Sequence, residues 1–216
     1  MPTGFFLVIE GPDCAGKTTQ QALLGKDLET AGYEIVLTRE PGGTDIGDQI
    51  RSVLHNTSNE KMCAKTEFLL FSASRAQHVA DVIKPAMEAG KIVISDRYWT
   101  SSIAYQSHGR GLPYALLMLI TRFACGKYTE PDLAIYIDLK TEALERRLIS
   151  RQAAGGAYNR LDQLKFAFRE RVRQGYLKMM EKNPWMWHYV DGDQSIEEVH
   201  NKILACVLPR IRKRFA

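Results

Sequence analysis

Residues 4–19, GFFLVIEGPDCAGKTT, limit what the chain can fold into more than any other stretch. The apolar, partly β-branched run from Phe5 to Ile9 predicts a strand buried on both faces, as in a parallel sheet. Gly11-Pro12-Asp13-Cys14-Ala15-Gly16-Lys17-Thr18 follows at once with the spacing G-x-x-x-x-G-K-[ST], and a helical pattern comes next. Gly11 and Gly16 let the backbone wrap closely round a phosphate, so that successive N–H groups and the positive end of the helix point at it. Lys17 adds a charge that can follow the β- and γ-phosphates, and the Thr18 hydroxyl suits Mg²⁺. A glycine-rich turn that merely precedes a helix is the bland alternative; the right flanks on both sides favour a nucleoside triphosphate site running to Thr19. Cys14, at a helix N-terminus beside Lys17, is expected to have a lowered thiol pKa.

Further apolar runs at 33–38, 91–95, 131–138 and 187–190 predict four more strands. Helical patterns lie between them, over 17–31, 45–55, 65–88, 113–127, 141–151 and 161–182, and a capping box at Ser195-Ile196-Glu197-Glu198 opens a last helix. No linker, repeat or low-complexity segment breaks the alternation. The expected fold is α/β, one domain over 1–216 with a five-stranded parallel sheet and helices on both faces. The small residues of 152–158, QAAGGAY, predict a mobile lid over about 151–160, between Arg151 and Arg160.

Three other places attract chemistry. Arg39-Glu40-Pro41-Gly42-Gly43-Thr44 lies at the end of the second strand, where open α/β sheets place ligands, yet its glycines fit a plain tight turn equally well. Asp96, just past the third strand, stands where a second Mg²⁺ contact belongs. Phe71 and Arg75 share a helical face, which by itself more often means core packing with a snorkelling arginine than a binding platform.

Lys and Arg number 29 against 25 Asp and Glu, a net charge of +4 that suits anionic substrates without calling for nucleic acid. The basic stretch 209–215 reads as a solvated helix end. Cys14, Cys63, Cys125 and Cys206 have no C-x-x-C spacing, so neither zinc nor a disulfide framework is expected. No apolar run reaches membrane length and none has the flanks of a signal peptide, which predicts a cytoplasmic protein with no membrane partner. A switch GTPase would carry N-K-x-D and D-x-x-G; here Asp96 leads into Arg97-Tyr98-Trp99. A small phosphotransferase remains. Arginines at 39, 51, 75, 97, 151 and 160 suit a reaction between two phosphorylated substrates.

The glycine loop is followed by 38–44 (TREPGGT), Ile50-Arg51, 70–75 (LFSASR), Asp96-Arg97-Tyr98, 102–106 (SIAYQ), Gly109-Arg110-Gly111, Pro131-Asp132-Leu133 and 195–200 (SIEEVH). In this order, over essentially the whole chain, these stretches resemble the thymidylate kinases. The resemblance implies P-loop kinase architecture, transfer of the γ-phosphate of ATP to dTMP with Mg²⁺ as cofactor, and a homodimer. It implies that Asp13 holds the sugar 3′-hydroxyl, that Arg39, Arg51 and Arg97 gather round the dTMP phosphate, and that Phe71 stacks on thymine. Arg75 and Gln106 would bond the base edge, Ser102 would join the acceptor site, and Tyr105 would sit under the deoxyribose, where a 2′-hydroxyl would clash. Lys17, Arg97, Arg151 and Arg160 would act on the transferring phosphate and Arg147 would flank adenine. Thr18 and Asp96 would serve the metal.

Three positions depart from the family pattern. Cys14 stands where one branch has a catalytic arginine, Asn159 where the lid commonly has aspartate, and Ser107 where a glycine usually follows Gln106. The runner-up is a deoxynucleoside kinase acting on thymidine, against which Arg39 and Arg51 argue.

Overall fold

The computed structural model describes residues 4–155 and 159–216. The apolar run after Gly4 forms β1 (Phe5–Glu10), with all six residues buried. It is the central strand of a parallel sheet with β2 (Ile35–Arg39), β3 (Ile92–Asp96), β4 (Leu133–Asp138) and β5 (Trp187–Asp191), in the order β2-β3-β1-β4-β5. The helices are α1 (Lys17–Thr30), α2 (Asp45–His55), α3 (Ala64–His78), α4 (Lys84–Glu88), α5 (Trp99–Ser102), α6 (Tyr114–Cys125), α7 (Thr141–Ala153), α8 (Phe166–Lys182) and α9 (Ile196–Phe215).

Alternation along the strands divides the interior into two cores. Phe6, Val8, Val93, Ala134 and Tyr136 pack with Phe68, Leu117, Val172 and Tyr176 from α3, α6 and α8. Phe5, Leu7, Ile9, Ile94 and Ile135 face the other way, onto Leu24, Leu28, Leu144, Ile203 and Val207 from α1, α7 and α9. Five parallel strands with helices on both faces are the architecture expected from the sequence.

Several boundaries moved. The helix expected over 65–88 is two helices, α3 and α4, joined by a π turn at Val79–Ile83. Pro85, in the first turn of α4, has no N–H to continue the ladder, and the wider turn takes up the register. The helix expected from 161 begins at Phe166. Before it, Asn159 and Asp162 cap each other across a 3₁₀ turn (Arg160–Gln163), the Asn159 side chain accepting from Leu161 N at 2.8 Å. Within 99–112, α5 runs into a second π turn, Ile103–Gly109, that buries Gln106. Residues 156–158 of the expected lid lie outside the described residues. The basic end of α9 is exposed, as expected, and Arg214 pairs with Asp132. All four cysteines are free. Among the described residues no helix is long and apolar enough to cross a membrane.

The parallel register sets Ile9 and Arg39 level with Asp96, so the C-terminal ends of β1, β2 and β3 meet at one edge. The cleft opens there.

Candidate active site

The glycine loop leaves β1 under tight constraint. Gly11 has φ 146°, and a Cβ added there would sit 2.4 Å from the Ile137 carbonyl oxygen. Gly16, at φ 88°, is the N-cap of α1. Lys17 folds back over the loop and donates to Pro12 O at 2.8 Å. Burial and the nearby Arg97 charge push its pKa down, against Asp96, Asp13 and Glu10. Thr18 Oγ1 donates to Asp96 Oδ2 at 2.7 Å, which brings the two expected metal contacts together.

Arg97 follows β3 with φ 73°, a left-handed conformation that is costly for a residue bearing a Cβ and recurs at functional sites. Its guanidinium donates to Asp13 Oδ1 at 2.8 Å and to Ser101 Oγ at 3.0 Å, and lies 5.4 Å from the centre of the Tyr105 ring. Burial works against ionisation of Asp13, but Arg97 and Lys17 outweigh it and hold the carboxyl pKa at about 2. Burial pushes the Tyr105 hydroxyl up to about 12.

Behind Arg97 stands Glu10, fully buried. It accepts from Tyr98 N at 2.9 Å, Thr100 Oγ1 at 2.5 Å, Ser101 Oγ at 2.6 Å and Tyr176 OH at 2.8 Å. The carboxylate fixes the backbone and the serine that hold Arg97. Sequence reasoning missed it, although an acid closing a wholly apolar strand was a visible signal.

The 39–44 segment is a tight turn that also borders the cleft. Gly42 and Gly43 have φ 120° and 79°, with Asp48 and Thr38 side chains where a Cβ would go. The turn carries Arg39, which pairs with Asp48 at 3.3 Å, and Arg51 reaches in from α2 to donate to Pro41 O at 2.9 Å. Arg75 corrects the snorkelling alternative. It is 1% exposed, donating to Glu40 Oε2 at 2.7 Å and Ser102 Oγ at 3.0 Å, with Nη1 unpartnered. His78 and Glu67, also unforeseen, secure this wall: His78 bonds Glu40 Oε1 at 3.0 Å, and Glu67 accepts from Gln106 Nε2 at 2.8 Å.

One cleft of about 870 Å³ gathers Asp13, Cys14, Gly16, Lys17, Thr18, Thr19, Arg39, Arg51, Phe71, Arg75, Asp96, Arg97, Ser102, Tyr105, Gln106 and Arg151 on its walls. His55, which no sequence pattern flagged, lines it too. Burial and then Arg51 push the His55 pKa down to about 4, so the ring is neutral at pH 7. Arg151 pairs with Asp162 at 2.7 Å. Two of the expected arginines stand outside the cleft. Arg147 clasps the outer side of the loop, donating to Cys14 O at 3.2 Å and Gly192 O at 2.9 Å. Arg160 is buried, donating to Leu54 O at 3.1 Å and lying 2.6 Å from Glu67 Oε2. The expectation for Cys14 is overturned: burial raises its pKa, helped by Asp13 and Asp162, and the opposing Arg151 and Lys17 do not compensate.

A glycine loop after the central parallel strand, facing an arginine-lined half-site across the same cleft, defines a P-loop phosphotransferase that works on two phosphorylated molecules. The sequence model of the thymidylate kinase family matches residues 9–203, and the chain belongs to that family. A thymidylate kinase of Exiguobacterium sibiricum is 44% identical over 98% of both chains, and one of Thermomicrobium roseum is 44% identical over 94% of both. The crystal structure of a thymidylate kinase from Ehrlichia chaffeensis superposes with a TM-score of 0.75 at 30% identity, covering 94% of this chain and 98% of that one.

Proposed function

We propose that the cleft transfers the γ-phosphoryl group of ATP to dTMP, giving dTDP, with the glycine loop holding the donor and the arginine-lined half holding the acceptor. The crowding of Arg39, Arg51 and Arg97 carries this reading. Burial, then Arg39, push the Arg51 pKa down, with Arg97 adding to the repulsion. The hydrogen bond that Arg51 makes goes to a backbone oxygen, not to a carboxylate. An acceptor phosphate would relieve that repulsion with charge-assisted bonds. Thymidine would bring no anion, so the nucleoside kinase alternative finds no support.

Phe71 is available to stack on the base and Tyr105 to close the pocket under the sugar, while Arg75 and Gln106 meet the base edge and Asp13 the 3′-hydroxyl. Lys17, Arg97 and Arg151 serve the transferring phosphoryl group, where charge develops. Arg160 would have to leave Glu67 to reach it, so Arg151 is the better-placed arginine. Arg147, beside the loop and Gly192, is available to the adenine side.

Mg²⁺ fits the Thr18 hydroxyl and the Asp96 carboxylate, both hard oxygen donors beside the loop. Among the described residues no cluster of three or more His, Cys, Asp or Glu is arranged for a metal, so phosphate oxygens and water would complete its shell. Bound there, it would neutralise charge on the donor phosphates. We also propose a cytoplasmic homodimer, without nucleic-acid or membrane partners. Its interface lies on the packed helices α3 and α6, where Leu69, Leu116, Leu119 and Phe123 are exposed, Phe123 by 90%.

Arg51→Gln tests the reading. It should raise the KM for dTMP about ten- to a hundredfold, the loss expected for one charge-assisted bond, and leave the KM for ATP within about twofold. An unchanged KM for dTMP would remove the arginine argument.

A further inference from the structure

Glu67 lies in the first turn of α3 and is 1% exposed. Its Oε1 accepts from Gln106 Nε2 at 2.8 Å and Arg110 Nε at 3.3 Å, while Oε2 accepts from Arg110 Nη2 at 3.0 Å and faces Arg160 Nη2 at 2.6 Å. Burial works to raise the pKa of Glu67, but the hydrogen bonds from Arg110 and Gln106 and the two guanidinium charges prevail and lower it. The group is therefore an ionised carboxylate, which can only accept.

That fixes its neighbour. A carboxamide has one donating and one accepting end, and against a carboxylate only one orientation is tenable. Gln106 turns Nε2 to Glu67. Its Oε1 takes no hydrogen bond from any described residue, and Gln106 lines the cleft. That leaves Oε1 able to accept from a molecule bound beside it.

We propose that Glu67 is the positioning residue that sets base selectivity: by fixing the amide of Gln106 it makes the acceptor site read an N–H at ring position 3, admitting thymine and uracil and turning away cytosine. The inference rests on the dTMP reading above. Thymine and uracil carry that N–H, whereas neutral cytosine has a lone pair there and would set it against the Gln106 oxygen. A glutamine without the carboxylate could turn its amide over and offer Nε2 to cytosine. With Glu67 in place, the same turn sets Oε1 against a carboxylate oxygen.

The test compares kcat/KM for dTMP, dUMP and dCMP, with ATP as donor, in the wild-type enzyme and in Glu67→Gln. A site built around a hydrogen bond rejects the analogue that leaves it unpaired, so the wild type should prefer dTMP over dCMP by roughly 10⁴-fold. Glu67→Gln should narrow that gap by at least about tenfold and leave the dUMP to dTMP ratio within about twofold, because uracil presents the same imide edge. Glu67→Asp keeps the charge that Arg110 and Arg160 face but withdraws it from Gln106. It should narrow the gap in the same direction, and it serves should the glutamine variant not fold. A fall in kcat/KM that is equal for all three acceptors would make Glu67 a structural strut and overturn the proposal. So would a wild-type enzyme that takes dCMP within tenfold of dTMP, whatever the variants do. Wild-type turnover of dTMP in the same panel tests the underlying reading separately.

Discussion

Glu10→Gln should weaken the fold and disarm Arg97 together. The carboxylate accepts four bonds of 2.9 Å or less, from Tyr98 N, Thr100 Oγ1, Ser101 Oγ and Tyr176 OH. A glutamine oxygen can keep the first two, as neutral bonds. The new NH₂ group faces the Ser101 and Tyr176 hydroxyls, which must reverse to accept from it. A bond to a charged group is worth about 1 kcal/mol more than a neutral one, so the four together place the loss at about 2–4 kcal/mol. For a chain of this length that lowers Tm by roughly 4–16 °C. The reversed Ser101 hydroxyl also disturbs its 3.0 Å bond to Arg97, and a misplaced guanidinium should lower kcat about tenfold or more. Differential scanning calorimetry and steady-state kinetics read the two effects. Tyr176→Phe removes the bond to Glu10 Oε2 and a 2.8 Å contact with Ser101 Oγ but leaves the Ser101–Glu10 bond, so it should cost about 1–2 kcal/mol and lower kcat less than Glu10→Gln does. A Glu10→Gln enzyme that melts with the wild type would refute the account of Glu10, and one that melts early but keeps full kcat would refute its link to Arg97.

Two further outcomes follow from the shifted ionisations. Cys14, its thiol pKa raised chiefly by burial, should react with iodoacetamide more slowly at pH 7 than a free cysteine and gain rate above pH 9; mass spectrometry showing a fast reaction at pH 7 would contradict this. The His55 pKa is lowered from 6.5 to about 4, so between those values the unfolded chain binds more protons and stability falls as pH drops. At pH 5 the loss relative to pH 7 should reach up to about 2 kcal/mol in urea titrations and should shrink in His55→Asn; equal losses in both proteins would count against the buried neutral ring.

What could be read in the sequence was local. The glycine loop, Asp96 at a strand end, and Phe71 with Arg75 one helical turn apart are patterns of spacing, and the sheet follows from apolar runs alternating with helical ones. What escaped depends on contacts across the fold. Glu67 meets Gln106, Arg110 and Arg160 only because α3, the π turn after α5 and the 3₁₀ turn before α8 pack together, and no spacing announces it. Arg160 was expected at the transferring phosphate by resemblance alone; its partners, Leu54 O and Glu67, come from α2 and α3. The lowered pKa expected for Cys14 came from its position at a helix start, which says nothing of how deeply the thiol is buried. Pro85 was visible, but an uninterrupted apolar periodicity hid the break before it.

The acceptor decides the account. A coupled assay of ATP with dTMP, dUMP, UMP and thymidine should give dTMP as the best substrate, with dUMP about tenfold poorer, since a buried methyl is worth about 1 kcal/mol. UMP should be far worse, because in the proposed site its 2′-hydroxyl would meet Tyr105. Thymidine should stay at background, because it brings no phosphate to Arg39, Arg51 and Arg97. Thymidine turning over faster than dTMP would contradict the central claim.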